Sequence, residues 1–166
     1  MSADERTGNL LGALALTLAD HIGTGSDAAA LITLRNYAEG EPLDLLRRAL
    51  ALSHPGVVRL ADRLERRGLV ERRRSDRDGR AVALRLTRAG RRAADEALAA
   101  RAGAIDTALG ALQPDERRAL DGMLERMLAA HTTDRTASLV ICRLCDPEVC
   151  GHPERCPVTQ AARAAA

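Results

Sequence analysis

The feature that most constrains this fold is a change in the spacing of apolar residues at Gly68. Before it, apolar side chains recur every three or four residues, which predicts amphipathic helices. After it, the larger apolar side chains alternate through residues 81–86, which predicts a strand. Asp78 and Gly79, ahead of that strand, form a dipeptide that favours a tight turn. We therefore expect several helices interrupted by one small hairpin, and then helices again.

Six helices are predicted from this periodicity. The first is indicated by apolar residues at helical spacing, which are Leu11, Leu14, Leu18 and Ile22. The later helices are expected to begin at N-cap residues or at proline in the first turn, namely at Ser26, Pro42, Ser53, Thr87 and Pro114. Only two or three residues are expected between the third and fourth helices, which is the short connection that a helix-turn-helix requires.

Arginine is concentrated in the middle of the chain. All 25 basic residues are arginine, and the formal net charge is only +2. Residues 59–92 hold thirteen arginines against five acidic residues, so this segment carries +8 and the rest of the chain carries −6. A local excess of arginine on a nearly neutral protein favours a nucleic-acid surface. A solvated arginine-rich face would give the same count.

An arginine-tipped hairpin directly after a helix-turn-helix is a wing, so the predicted fold is mainly α with a small β-wing. We divide the chain into an N-terminal dimerisation helix (1–25), a winged helix-turn-helix (26–87), C-terminal dimerisation helices (88–133) and a cysteine-rich tail (134–166). The helices at both ends carry more apolar surface than the small winged region can cover. A homodimer is therefore expected, with an intramolecular bundle in a monomer as the alternative.

Four motifs follow one another in the middle of the chain. They are Asp62-Arg63-Leu64-Glu65, Gly68-Leu69-Val70, Asp78-Gly79-Arg80 and Leu86-Thr87-Arg88-Ala89-Gly90. As a set, this order and spacing resembles the MarR family of bacterial regulators over about residues 10–133. The resemblance implies that the fourth helix recognises DNA, that Asp78 orients Arg80, and that the last motif opens a long dimer helix. It also implies a small aromatic acid as effector. The chain has one tyrosine and no phenylalanine or tryptophan, so its own composition does not indicate a site for an aromatic ligand.

The candidate DNA contacts lie on the fourth helix and on the wing. The outer face of the helix is expected in the major groove, and the wing is expected at the adjacent minor groove and phosphates. At Gly56 we expect close backbone approach rather than base readout. Asp62 either holds a neighbouring arginine or is a solvated helix charge. The predicted contacts to a near-palindromic double-stranded operator are Ser53, His54, Gly56, Val58, Arg59, Arg63, Arg73, Arg74, Arg77, Asp78 and Arg80.

All four cysteines lie close together near the C-terminus, at Cys142, Cys145, Cys150 and Cys156. This density of thiols favours a soft-metal site. The proline after the last cysteine favours an iron–sulfur cluster, 4Fe–4S over 2Fe–2S. Structural zinc and free redox thiols are the alternatives. We expect the site beside the dimer interface, where gain or loss of a cluster would change the separation of the two recognition helices.

The functional prediction is a DNA-binding transcriptional repressor tuned by an iron–sulfur cluster or by the redox state of these cysteines. The alternative is a repressor with structural zinc and a small-molecule effector. An enzyme is not expected, because a site closed by four cysteines offers neither an open metal position nor a general base. No apolar run approaches a membrane span and residues 1–8 do not resemble a signal peptide, so a cytoplasmic location is expected.

Overall fold

The computed structural model describes residues 2–22 and 25–165. Within this part the helices are α1 (Ala3–Ile22), α2 (Ser26–Thr33), α3 (Leu43–Ala49), α4 (His54–Arg66), α5 (Arg88–Leu109), α6 (Pro114–Ala130), α7 (Arg135–Cys142) and α8 (Pro157–Ala164). A π-helical turn, Leu34–Ala38, continues α2. The strands β1 (Val70–Arg74) and β2 (Val82–Leu86) form one sheet. The predicted class, mainly α with a small β-wing, is confirmed.

The core lies where α2, α3, α4 and the sheet meet. Helix α4 is strongly amphipathic and buries Val57, Leu60, Ala61 and Leu64 on its inner face. These side chains pack in one cluster with Leu46 of α3 and Leu84 of β2, among others. Leucine, valine and alanine side chains can fill such a core at high density without aromatic rings. The core therefore fixes which face of α4 remains exposed.

A side-chain cap fixes the start of α4, as predicted. The Ser53 hydroxyl accepts a hydrogen bond from the Gly56 N–H at 3.2 Å, and so satisfies one free donor of the first helical turn. Helix α3 ends at Ala49, so residues 50–53 form a four-residue connection rather than the two or three expected. Ala51 turns the chain in this connection with a φ of 52°.

The predicted hairpin is present as an antiparallel sheet of two strands. Its antiparallel pairs run from Val70 opposite Leu86 to Arg74 opposite Val82. In the turn, the Ala81 N–H donates to the Asp78 carbonyl oxygen at 2.8 Å. The Asp78-Gly79 dipeptide therefore lies in the turn, as predicted.

Gly40 attaches the hairpin to the helical core. Its N–H donates to the Leu84 carbonyl at 3.1 Å, and its own carbonyl accepts from the Asp76 N–H at 3.0 Å and from the Ser75 hydroxyl at 3.1 Å. The backbone of Gly40 is left-handed, with a φ of 77°, and a Cβ here would lie 2.3 Å from Asp76 Oδ2. Only glycine suits both this conformation and this approach.

Two predicted helix starts differ from the structure. Gly25, not Ser26, occupies the N-cap of α2, and no side chain caps this helix. The Ser26 hydroxyl instead accepts a hydrogen bond from Arg63 at 3.1 Å. Pro42 is the N-cap of α3 rather than a residue of its first turn. It forms an isolated antiparallel bridge with Ala83 of β2, which draws it toward extended backbone.

The segment after residue 133 folds into two helices that the sequence pattern did not predict. Asp134 caps α7, because its carboxylate accepts from the N–H groups of Thr136 and Ala137 at 2.6 and 2.8 Å. Helix α8 extends to Ala164. Helix α7 packs on α3, and α8 packs on α6 and α7, so this segment folds back onto the rest of the molecule.

Helices α1 and α6 carry exposed apolar faces. The exposed side chains are Leu10, Leu11, Leu14 and Leu16 on α1, and Met123, Leu124, Met127 and Leu128 on α6. Several large apolar side chains exposed on one helix commonly mark a protein interface. Across residues 2–22 and 25–165, every helix is too short or too polar to cross a bilayer.

Candidate nucleic-acid interface and thiol loop

Helix α4 presents a polar face away from the core. His54 and Arg59 are exposed on it, and neither side chain has an ion-pair or hydrogen-bond partner among the described residues. Val58 and Gly56 are half-buried, and the Ser53 hydroxyl is engaged in capping the helix. An exposed polar face on the second helix of a helix-turn-helix is the arrangement that enters a major groove.

The wing surrounds an open concavity of about 550 Å³, called here the wing concavity. Its lining residues are Arg72, Arg73, Arg74, Gly79, Arg80, Ala81 and Val82. Arg74 and Arg80 are exposed and have no side-chain partner in the described part of the chain. Several guanidinium groups around one open depression create a positive potential that suits phosphate.

Arg72 joins the wing to α4. Its guanidinium contacts Asp62 Oδ1 and Glu65 Oε2, each at 2.5 Å. The sequence left two roles open for Asp62, and the structure shows it holding an arginine. Because one planar guanidinium bridges carboxylates three residues apart on the helix, it sets the position of the hairpin against α4.

Arg63, predicted to contact DNA, forms an ion pair with an acidic residue of α2. Its guanidinium bonds to Asp27 Oδ1 at 2.5 Å, and Arg67 bonds to the other oxygen of the same carboxylate at 2.6 Å. The hydrogen bond from Arg63 holds the pKa of Asp27 below its usual value. Arg63 is drawn back because Asp27, in the first turn of α2, faces α4. Its side chain is still 41% exposed, so Arg63 links α4 to α2 while it remains partly at the surface.

Two more predicted contacts pair with acidic side chains. Arg73 bonds to Glu71 at 2.6 Å, and Arg77 bonds to Glu41 at 2.9 Å. The Arg77 side chain is nevertheless 72% exposed. Both arginines therefore remain at the surface, with part of their charge balanced within the protein.

Asp78 acts on the backbone of the wing turn. Its Oδ1 accepts a hydrogen bond from the Arg80 N–H at 3.0 Å. The resemblance implied that Asp78 orients Arg80, and the contact present is with the backbone of Arg80 rather than its guanidinium. Asp78 therefore shapes the turn, while the Arg80 side chain extends from it.

The structure divides the arginines of residues 59–92 into paired and unpaired groups. Seven form ion pairs, namely Arg63, Arg67, Arg72, Arg73, Arg77, Arg85 and Arg91. Three of the acids involved, Asp27, Glu39 and Glu41, lie outside this segment, so the local count overestimates the charge available to a partner. Arg59, Arg74 and Arg80 are the predicted arginine contacts that remain unpaired in the described residues.

A helix-turn-helix followed by an arginine-rich hairpin defines a winged helix-turn-helix protein, and comparisons with known proteins agree. A model of the MarR family matches residues 44–81. The transcriptional repressor MprA of Escherichia coli (strain K12) is 34% identical over 102 residues, which is 60% of this chain and 57% of the repressor. The match thus spans little more than half the length of that relative.

Solved structures resemble this chain over more residues than the family model matches. A probable transcriptional regulator from Pseudomonas aeruginosa is 30% identical, with a TM-score of 0.55, over 76% of this chain and 99% of that one. A MarR-family regulator from Silicibacter pomeroyi is 25% identical, with a TM-score of 0.53, over 77% of this chain and 88% of that one. The chain belongs to the MarR family of transcriptional regulators.

The four cysteines lie in a thiol loop, residues 142–156, which joins α7 to α8. Cys142 ends α7, and Cys156 is buried at the N-cap of α8. The Cys145 sulfur is hydrogen-bonded to the thiols of Cys142 and Cys150, and the bond from Cys142 lowers the pKa of Cys145. Among the described residues, no set of three or more Cys, His, Asp or Glu side chains is arranged as metal ligands. The loop gathers soft donors without forming a finished coordination shell.

Hydrogen bonds tie the thiol loop to the winged region. Asn36 Nδ2 donates to the Cys145 carbonyl at 2.8 Å, and the Thr33 hydroxyl donates to the Arg143 carbonyl at 3.1 Å. The sequence predicted this loop beside the dimer interface. It contacts the winged region because α7 packs on α3 and directs the following chain toward α2 and its π-helical turn.

Two side chains from distant elements approach the thiols. Tyr37 lies edge-on to His152, with ring centroids 6.0 Å apart, and burial together with the nearby cysteines raises the pKa of Tyr37. Arg101 of α5 acts electrostatically on Cys145 and Cys150. Sequence reasoning missed both residues; the one signal available was that Tyr37 is the only tyrosine in the chain.

Proposed function

We propose that this protein is a homodimeric transcriptional repressor that binds a near-palindromic DNA operator through α4 and the wing of each protomer. The observation that carries the proposal is the wing concavity, where Arg74 and Arg80 have no partner among the described residues and Arg72 fixes the wing to α4. Unpaired guanidinium groups beside a recognition helix offer both phosphate and base-edge contacts. The exposed apolar faces of α1 and α6 supply the surface through which two protomers would associate.

The residues divide into three roles in this proposal. His54, Val58 and Arg59 lie on the exposed side of α4 and would read base edges in the major groove. Ser53 and Gly56 would let the helix start approach the backbone of the duplex. The wing residues would contact the minor groove and phosphates, and these are Arg73, Arg74, Arg77 and Arg80, with Asp78 shaping the turn. Arg63 is assigned to holding α4 against α2.

Replacing Arg80 with alanine is expected to weaken operator binding by about 1–3 kcal/mol, the size of one good groove contact. The duplex is first selected from a random pool by the parent protein, and affinity is then measured by a mobility-shift titration. Arg118→Ala on α6 removes another exposed arginine that has no partner in the described chain, and it should leave affinity nearly unchanged. If the parent and Arg80→Ala bound the duplex with equal affinity, the assignment of the wing to the DNA interface would be wrong.

We also propose that Cys142, Cys145, Cys150 and Cys156 hold an iron–sulfur cluster, 4Fe–4S in preference to 2Fe–2S, which tunes DNA affinity. All four soft sulfur donors lie in one short loop, and the positive charge of Arg101 acts on Cys145 and Cys150. Such a cluster supplies a redox-sensitive group that can be changed or lost on oxidation. Structural zinc with a small-molecule effector is the alternative that the same donors allow.

Successive contacts connect the thiol loop to α4 through α2. Asn36 and Thr33 bind the loop backbone, and they belong to α2 and its continuing π-helical turn. The first turn of α2 carries Asp27, which binds Arg63 of α4 at 2.5 Å. If the thiol loop became more or less ordered, the change would act on α2, which holds α4 in position through Asp27 and Arg63.

Protein purified without oxygen should contain iron and sulfide in equal amounts and absorb broadly in the visible range. Cys145→Ser should lose the iron and sulfide, whereas the loop control Glu148→Gln should keep both. Exposure to air should then change the affinity of the parent, but not of Cys145→Ser, for its selected duplex. A colourless protein with stoichiometric zinc would instead establish the structural-zinc alternative and exclude the cluster.

A further inference from the structure

The side of the hairpin that is turned toward α4 carries an exposed apolar side chain near its tip. Residues directly opposite in an antiparallel pair have their side chains on the same face of the sheet, and every second pair shares that face. Because Arg72 bonds to Asp62 and Glu65 of α4, its face is the one turned toward the recognition helix. From base to tip, the pairs on this face are Val70 with Leu86, Arg72 with Leu84, and Arg74 with Val82.

The apolar side chains that β2 places on this face pass from the core to the surface. Leu86 and Leu84 are 6% and 1% exposed, whereas Val82 is 47% exposed. An exposed valine by itself needs no explanation. Val82, however, lines the wing concavity together with Arg74 and Arg80, so it lies within the basic surface of the wing.

The charge beside Val82 indicates which kind of partner covers it. Arg74, directly opposite in the sheet, is exposed and has no side-chain partner among the described residues. An apolar group next to an unpaired guanidinium matches a nucleic-acid backbone, in which anionic phosphates alternate with largely apolar sugar rings.

The placement of the wing selects one part of that backbone. The major groove and the adjacent minor groove of a duplex are separated by a single sugar–phosphate backbone. With α4 in the major groove and the wing in the next minor groove, the hairpin face turned toward α4 also faces this backbone. Val82 and Arg74 are the exposed pair on that face.

We infer that Val82 packs against a deoxyribose of the backbone between the two grooves, beside the phosphate that Arg74 contacts. The inference rests on the proposed DNA interface and adds to it a contact that carries no charge. Such a contact releases no counterions, so its contribution to affinity does not depend on salt concentration. This property distinguishes it from the arginine contacts of the wing.

The test measures the duplex affinity of the parent and of Val82→Ala by fluorescence anisotropy over a range of salt concentrations, with the duplex selected by the parent. Removing the branched methyl groups, which are only partly buried in the free protein, should weaken binding about fourfold for each wing. The slope of log affinity against log salt should remain that of the parent. Val82→Ile keeps the apolar surface and should bind within about twofold of the parent. Urea unfolding checks that both variants are folded at the concentrations used.

Hydroxyl-radical cleavage of the bound duplex locates the contact, because these radicals attack deoxyribose that is open to solvent. At saturating protein, the parent should protect sugars of the backbone between the two grooves. In the Val82→Ala complex, cleavage should increase at part of these sugars and stay unchanged at the others.

The outcomes separate this inference from the proposed DNA interface. If the parent binds the duplex but Val82→Ala binds it equally well at every salt concentration, the inference is wrong and the interface stands. A changed salt slope in Val82→Ala would mean that the arginine contacts are disturbed, and it would also overturn the inference. So would a change in the mass of free Val82→Ala in sedimentation, which would place Val82 between protomers. A parent that binds no duplex would overturn both proposals.

Discussion

Replacing Gly90 with alanine is expected to destabilise the protein by about 3 kcal/mol, at the upper end for overpacking substitutions. A Cβ at this position would lie 1.9 Å from the Leu69 carbonyl oxygen and 3.1 Å from Leu86 Cδ2. The Leu69 oxygen is a backbone atom and the Leu86 side chain is buried. Neither can move away from a new Cβ unless the wing moves away from α5. The Gly90 N–H also donates to the Thr87 hydroxyl at 3.0 Å, which caps α5 at this junction.

The matched control is Gly103→Ala on the same helix. A Cβ there would meet nothing within 4 Å, so alanine should stabilise the protein by about 0.5–1 kcal/mol through its higher helix propensity. Both variants are compared with the parent by urea unfolding at one protein concentration, because assembly would shift the midpoint. A Gly90→Ala protein as stable as the parent would mean that α5 does not pack on Leu69 as described.

Replacing Arg59, Arg74 and Arg80 together with alanine is expected to reduce duplex affinity by at least about a thousandfold, or about 4 kcal/mol, because each groove contact contributes about 1–3 kcal/mol. All three side chains are exposed and have no partner in the described residues. Their removal should therefore change the free energy of unfolding by no more than about 0.5 kcal/mol. Fluorescence anisotropy with the selected duplex measures the first effect, and urea unfolding measures the second.

The control for this triple variant removes the same charge from other helices. Arg6, Arg118 and Arg126 lie on α1 and α6, are exposed, and have no ion-pair partner among the described residues. Their triple replacement by alanine should weaken binding far less than the first set does. If both triple variants lost the same amount of duplex affinity, the affinity would depend on overall charge rather than on α4 and the wing.

Local patterns predicted the winged region well. The Ser53 and Thr87 caps act on N–H groups three residues away, so sequence spacing alone identifies them. The Asp78-Gly79 turn and the left-handed Gly68 at the end of α4 likewise depend on nearby residues. The motifs that carry the MarR resemblance include Gly68, Asp78, Gly79 and Thr87, so the resemblance depends largely on such local features.

Distant contacts were not predictable in the same way. Asp27 and Arg63 lie 36 residues apart, and no periodic pattern indicates that they pair. Helices α7 and α8 have eight residues each, a length that is marginal in isolation and depends on packing against α3 and α6. The thiol donors were evident from spacing, but the attachment of their loop to Asn36, which is 109 residues from Cys145, was not.

The dependence of duplex affinity on salt concentration tests the DNA-binding proposal most directly. Binding through arginine–phosphate contacts releases counterions, so we expect log affinity to fall linearly with log salt, by about 0.9 for each phosphate contacted. Removing Arg74, proposed as a phosphate contact, should reduce that slope by about one per protomer. A nearly flat salt dependence, or the same slope with and without Arg74, would contradict a phosphate-binding surface on the wing.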